Sequence, residues 1–274
     1  APTDEDIAVF YAGEYHEQLR HEGSTDAAFG AKYRRYAETI GRHRASGRIV
    51  DIGCSTGLFV RMLRDRGFEA EGIELNERSA AWGSERYGVR IRTEPIERCG
   101  YAPGSLDAIL LTDVLEHTRH PGEFLASAAT YLAVGGHALV TFPDIRSIES
   151  RYRAMLARLL RRDWLWSSCH VPLHVWEFTR ETAERCFADA GFRVVEFGRS
   201  QLPAERHASP ALRLLELPVR CLSAPILGRM LGSQMEFLLE KERDVPTEPF
   251  GASMSDVGRR SGVEPPERRA LELV

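Results

Sequence analysis

A chain of 274 residues with 43% hydrophobic content has ample material for one large domain and its additions. Its formal net charge of −4 and pI near 6.2 exclude a global attraction to nucleic acid, which would need a local basic patch that the composition does not announce. Five widely spaced cysteines without a C-x-x-C argue against a disulfide framework or a zinc site, and no apolar run reaches about 18 residues, the length that suggests a membrane span. The first residues, "APTDEDIAVF", lack the basic and apolar regions of a signal peptide, so the chain reads as cytoplasmic, with no stable membrane insertion.

In chain order, residues 1–46 read as a helical, aromatic lid carrying Tyr11, Tyr15, Tyr33 and Tyr36. From Arg48, short apolar runs alternate with helix-compatible stretches, the rhythm of a parallel sheet flanked by helices. "RIVDIG" (48–53) is a first strand. "GLFVRMLRDRG" (57–67) follows as a helix stopped by Gly67. "EAEGIEL" (69–75) is a second strand, Asn76 caps a helix over 76–88, and "VRIRTE" (89–94) is a third strand. "LDAILLTD" (106–113) is apolar on both faces, as a central strand is. A helix around 121–133 then leads to a fifth strand at 135–143.

Past Pro143 an Arg-rich amphipathic helix within 144–168 interrupts the rhythm. Met155, Leu156, Leu159 and Leu160 form its apolar face, a pattern that suits a lid with a solvated Arg face or, less readily, an anionic surface. Thr179 and Gly191 bracket the next helix, and "FRVVEFGR" and "QMEFLLEKE" (234–242) form an antiparallel pair at one edge. Residues 201–232 are a Pro-punctuated insertion, and 243–274 read as a flexible tail. The main domain is therefore expected over 47–242.

The chemistry concentrates in "IVDIGCSTGLF" (49–59). A strand ending in glycine before a helix leaves N–H groups over the sheet edge, which suits an anionic or carboxylate-bearing ligand. The dinucleotide fingerprint G-x-G-x-x-G fails because its middle position is Ser55, which disfavours an NAD-dependent oxidoreductase, and a P-loop fails for want of its lysine. What stands is D-x-G-x-x-x-G followed by a strand ending in Glu74, placed to accept hydrogen bonds from ribose hydroxyls.

Together "VDIGCSTGLF", "GIEL", "LDAILLTDVLEH", "YLAVGGHALVTFP" and "FTRETAERCFADAGF" resemble the class I S-adenosylmethionine-dependent methyltransferases over residues 48–242. "VLEH" and the His, Trp and "EFT" cluster look like the small-molecule, lipid or sugar O-methyltransferase branch. The resemblance implies an α/β, Rossmann-like, seven-stranded, mostly parallel sheet with an antiparallel last strand. It implies S-adenosylmethionine as cofactor and a small-molecule, sugar or lipid-linked hydroxyl acceptor. Carried over residue by residue, it puts Asp51, Gly53, Cys54, Ser55 and Gly57 beneath the methionyl part, Glu74 on the ribose and Leu75 beside the adenine. Glu94, Pro95 and Ile96 fall at the adenine edge, and Thr112 and Asp113 face the sulfonium.

An unperturbed imidazole titrates at about 6.5, in range to take a proton from a hydroxyl, and His117 is the candidate base beside Asp113. Asp113, Glu116 and His117 also resemble the positions through which some quinone-type O-methyltransferases bind a divalent cation, although no metal is predicted. His170 and His174 have helical spacing, but Pro172 between them argues against a zinc pair. With Trp176, Tyr11 and Tyr15 they are expected to line the acceptor pocket. Nitrogen or carbon acceptors, and a non-catalytic S-adenosylmethionine-binding subunit, are the rival readings.

Overall fold

The computed structural model describes residues 23–160, 174–200 and 232–246. Seven strands form one sheet in the order β3-β2-β1-β4-β5-β7-β6. They are β1 (Arg48–Ile52), β2 (Glu69–Ile73), β3 (Ile91–Arg92), β4 (Leu106–Thr112), β5 (Leu132–Pro143), β6 (Phe192–Ser200) and β7 (Gln234–Lys241). The pairings from β3 through β5 are parallel, while β7 runs antiparallel to both β5 and β6, as the two late apolar runs imply.

Alternation within the strands divides the core in two. Ile49, Ala108 and Leu110 face one side, where helix α1 (Gly23–His43) and helix α2 (Leu58–Arg64) cover the sheet. Val50, Ile109 and Leu111 face the other, beneath α4 (Pro121–Tyr131) and α6 (Arg180–Asp189). Burial on both faces explains why "LDAILL" has no polar alternation. Around Phe237 on that second side, Phe142, Phe187 and Phe197 lie with ring centroids 4.9–5.7 Å away. The part of the expected lid that lies in α1 is a core layer here: Tyr36, Ala37 and Ile40 are buried, and the Tyr33 ring lies flat on Phe59 at 4.8 Å.

Asn76 caps α3 (Glu77–Tyr87) by accepting from the N–H groups of Arg78 and Ser79, and Thr179 caps α6 through a capping box. Two expected boundaries move. β3 is only two residues long, because it is the sheet edge, Val89 turns into the core beside it and Pro95 just beyond has no N–H to offer a ladder. β5 begins at Leu132 rather than at residue 135. The surplus chain is absorbed by a register shift between Leu106 and Ala108 and by Gly135 at φ 78°.

The insertion carries α5 (Ile148–Leu160), whose Met155 and Leu159 are exposed rather than packed. The side chains of Leu156 and Leu160, residues 161–173 and 201–231, and the tail from 247 lie outside the described residues, as do Tyr11, Tyr15 and His170. Among the described residues no helix is long and apolar enough to cross a membrane. A cavity of about 410 Å3 opens by Gly104, Leu132, Val134 and Lys241, at the end of the sheet opposite the glycine turn.

Candidate active site

The glycine turn leaves β1 through Gly53 (φ 74°), Ser55 (φ 50°) and Gly57 (φ 77°). Positive φ alone favours glycine at two of these positions, and close approach reinforces it. A Cβ on Gly53 would stand 2.7 Å from Val114 Cγ2, and one on Gly57 2.8 Å from Ile91 Cδ1. Gly83 of α3 is a site-shaping residue that the sequence reading missed: a Cβ there would stand 2.0 Å from the Thr56 carbonyl oxygen. Only its closeness in space to the turn reveals it.

The expectation of free N–H groups at this turn needs correcting. The Gly53 and Cys54 N–H groups both donate to the Ile73 carbonyl (2.8 and 3.0 Å), Gly57 donates to Cys54 O (2.9 Å), and Ser55 donates to Glu74 Oε2 (3.0 Å). Three of these donors hold the turn against the end of β2 and the Glu74 that follows it, and the fourth, from Gly57, closes the turn on itself, so the turn makes no phosphate cradle from them. It offers acceptors instead. Each Glu74 oxygen receives one backbone donor, Ser55 N at Oε2 and Asn76 N at Oε1 (2.9 Å), and each keeps lone-pair capacity for a ligand hydroxyl.

Asp51 is 2% exposed with Oδ1 unpartnered, an orphaned acceptor of the sort that a buried ligand donor satisfies. Burial, reinforced by the Glu74 charge, pushes its carboxyl up to about 8. Burial also raises Glu74, against the pull of its two backbone donors. Cys54 is buried with its thiol pushed well up, so it packs the turn and is no nucleophile. Leu75 is 63% exposed beside this acceptor pair, Pro95 is exposed, and Ile96 is buried in the core.

Across the sheet end, β4 finishes at half-buried Thr112 and turns at Asp113, a non-glycine residue at φ 59°. Its side chain is held three ways. Lys32 Nζ donates to Oδ2 at 2.9 Å, Thr141 Oγ1 donates to Oδ1 at 3.3 Å, and Gln234 Nε2 donates to Oδ1. Lys32 and Gln234 come from α1 and β7, far away in sequence. Glu116, 2% exposed, has no hydrogen-bond partner at either carboxyl oxygen, and burial first, then the Asp113 charge, pushes its pKa well up.

His117 Nε2 lies 3.8 Å from Glu116 Oε1, and the His117 and His174 rings meet edge to face at 4.8 Å. His174 is brought there by main chain: Val175 N and Trp176 N both donate to the Glu116 carbonyl (2.8 and 3.1 Å), and Trp176 Nε1 donates to Arg119 O. Ligand atoms of Glu116, His117 and His174 lie within 4.8 Å of one another, a set able to hold a metal ion. A crevice of about 10 Å3 lies between Glu116, Ser150, His174 and Trp176.

Comparison with known proteins agrees with this geometry. Residues 17–197 match the methyltransferase domain family. The ubiquinone biosynthesis O-methyltransferase of Cupriavidus pinatubonensis is 27% identical over 160 residues, covering 56% of this chain and 62% of that protein. The protein of the same description from Caulobacter sp. strain K31 is 32% identical over 99 residues, covering 34% and 39%. The chain thus matches less than two thirds of the length of these curated relatives. Among solved structures, an S-adenosylmethionine-dependent methyltransferase from Archaeoglobus fulgidus superposes with TM-score 0.53 at 17% identity, covering 77% of this chain and 94% of that one. The Burkholderia thailandensis 1,6-didemethyltoxoflavin-N1-methyltransferase, bound to S-adenosylhomocysteine, does so with TM-score 0.57 at 15% identity, covering 89% and 92%. With a domain match over more than half its length, a sheet with β7 reversed and an acceptor-lined glycine turn, the chain belongs to the class I S-adenosylmethionine-dependent methyltransferase family.

Proposed function

We propose that the protein transfers a methyl group from S-adenosylmethionine to a hydroxyl of a small molecule, a sugar or a lipid-linked intermediate. The observation that carries this reading is the pairing of Asp51 and Glu74 at a turn whose own Gly53, Cys54, Ser55 and Gly57 N–H groups are already spent. Two carboxyl groups with open acceptor sites suit a ligand that brings donors and positive charge, namely ribose hydroxyls and an ammonium, and suit pyrophosphate poorly. Glu74 would hold the ribose, Asp51 the amino group and exposed Leu75 the adenine face, with Pro95 at its edge, while Ile96 packs into the core beneath. When bound, the cofactor supplies an electrophilic methyl group on a sulfonium. The chain's remaining work is alignment of the acceptor, exclusion of water and removal of one proton.

Removal of that proton falls to His117, held between Glu116 and His174. Thr112 and Asp113 face the reacting end of the cofactor. Trp176, His174 and, outside the described residues, Tyr11, Tyr15 and His170 complete the acceptor side. The relatives named for ubiquinone biosynthesis favour oxygen over nitrogen or carbon as the methylated atom. A second reading has its own observation: the two unpartnered oxygens of Glu116, beside His117 and His174, suit a divalent cation that would lower the acceptor hydroxyl's pKa.

Calorimetric titration with S-adenosylmethionine, S-adenosylhomocysteine and NAD, on the parent and on Glu74→Ala, is the direct test. It is followed by labelled methyl transfer to a panel of phenols, sugars and amines with and without a chelator. Saturable binding of the first two ligands with transfer to hydroxyls is expected. NAD binding alone would overturn the cofactor assignment, binding without any transfer would point to a non-catalytic subunit, and labelling confined to amines would move the acceptor to nitrogen.

A further inference from the structure

The chain has 36 basic residues of the Lys and Arg types, and only Lys32 and Lys241 are lysines. Both are buried, at 7% and 2% exposure. Lys241 shows what a structural lysine does here. Its three donors meet Ala129 O and Leu132 O at 2.7 Å each and Asp244 Oδ1 at 2.6 Å, which closes the end of α4 and leaves no capacity. Lys32 is almost as deeply buried but spends only one donor, on Asp113 Oδ2, and among the described residues it meets no other acceptor.

Its location is specific. Two flanking side chains of α1, Phe29 and Tyr36, set their rings 5.8 and 5.6 Å from the ammonium. Tyr33 of the same helix stacks on Phe59, two residues past Gly57, and Arg35 and Tyr36 tie the helix to Glu236 of β7. Lys32 is therefore fixed between the glycine turn and the Asp113–His117 turn, where its charge acts on Glu116. A compact ammonium with two uncommitted donors, held by a carboxylate at a strained position, suits an oxygen that becomes more negative during the reaction.

We propose that Lys32 is a catalytic residue whose free N–H groups donate to the acceptor oxygen and stabilise its ionised form, which makes the preferred acceptor an acidic hydroxyl of the phenol type. The proposal rests on the hydroxyl-acceptor reading above. In the step it serves, the acceptor O–H bond breaks and its proton passes to His117. The oxygen lone pair forms the new C–O bond, and the methyl C–S bond breaks with its electron pair remaining on sulfur. Lys32 gains and loses no proton. Asp113 offsets its charge, so the cationic donor next to the pair faces no net repulsion from it.

The test uses the full chain and a series of ring-substituted catechols and phenols of increasing hydroxyl acidity, with S-adenosylhomocysteine binding measured on every variant. Lys32→Met is expected to lower kcat/KM by about 100-fold on the least acidic acceptor, with a loss that shrinks as acidity rises, while binding of S-adenosylhomocysteine stays within about 3-fold. Lys32→Arg keeps the charge and the Asp113 partner, so it carries the test if Lys32→Met does not fold, and the same acidity dependence with a smaller loss is expected of it. Lys241→Met is the structural comparator, whose loss is uniform across the series. No loss in the Lys32 variants, or a uniform loss like that of Lys241→Met, overturns the proposal alone. Methylation of amines and of no phenol by the parent protein overturns the hydroxyl reading, and this proposal with it.

Discussion

Two carboxyl pairs stand at the same end of the sheet, and they are built differently. Asp51 and Glu74 have no basic side chain hydrogen-bonded to them among the described residues, and only backbone N–H groups steady Glu74. Asp113 and Glu116 share the neighbourhood of a buried ammonium, supplied by α1, that pairs with Asp113 at 2.9 Å. The first pair waits for positive charge and donors that come with a ligand, and its raised Asp51 records the cost of waiting. The second carries its own cation, as a place that handles charge developing on an oxygen would. On the proposed reading, one end of the sheet separates holding the donor from activating the acceptor.

Four substitutions can break or sharpen that contrast. The largest effect is expected from Glu74→Ala, which removes both proposed ribose acceptors and frees Ser55 N and Asn76 N. S-adenosylmethionine affinity should fall by about 100-fold or more, since hydrogen bonds to a charged group are worth roughly 1.5–3 kcal/mol each. A change under about 5-fold in calorimetry would remove Glu74 from the cofactor site.

Asp51→Asn tests the wait for charge in the ligand-free protein. The folded pKa of about 8 lies above the unfolded value of about 3.9, so between these values the folded state holds a proton that the unfolded state has lost. Stability of the parent therefore falls as pH rises through that window. Asn carries no such penalty, and the variant should gain on the parent progressively from pH 4 to pH 8, with the largest gain at the upper end, in urea midpoints. A constant difference across the window would mean that Asp51 is not buried neutral.

Gly83→Ala should come next. Despite alanine's helix propensity, its Cβ meets the Thr56 carbonyl, so α3 and the turn must separate. The expected net loss is about 1 kcal/mol of stability, with cofactor affinity down by roughly 10-fold. Undiminished affinity would show the turn to be independent of α3. Leu75→Ala should be mildest, a few-fold weaker binding with an unchanged melting midpoint, because its side chain lies mostly in solvent. A drop in midpoint would make Leu75 a core residue instead of a ligand contact.

What was legible in the sequence followed from local rules. Alternating apolar runs located the strands, Asn76 and Thr179 announced their helices, and the spacing of Asp51, Gly53 and Gly57 announced the glycine turn. Edges resisted, since β3 ends where its neighbour ends and β5 starts where Leu106 can pair with Leu132, facts about partners rather than about segments. The acceptor side resisted more. Nothing near position 32 signals that its lysine reaches Asp113, 81 residues away, or that Gln234 does so from the other end of the chain.

The sequence by itself determined the alternation of strands and helices, the two-sided burial of β4, and the glycine turn behind Asp51, because each depends on residues within a few positions of one another. The tertiary structure alone decided that three of the turn's N–H groups are spent on the end of β2 and on Glu74, that His174 meets His117 and that Lys241 spends all its donors while Lys32 spends one. Each of these depends on donors and acceptors meeting across elements, and burial makes every such meeting an accounting of hydrogen bonds that no local pattern encodes.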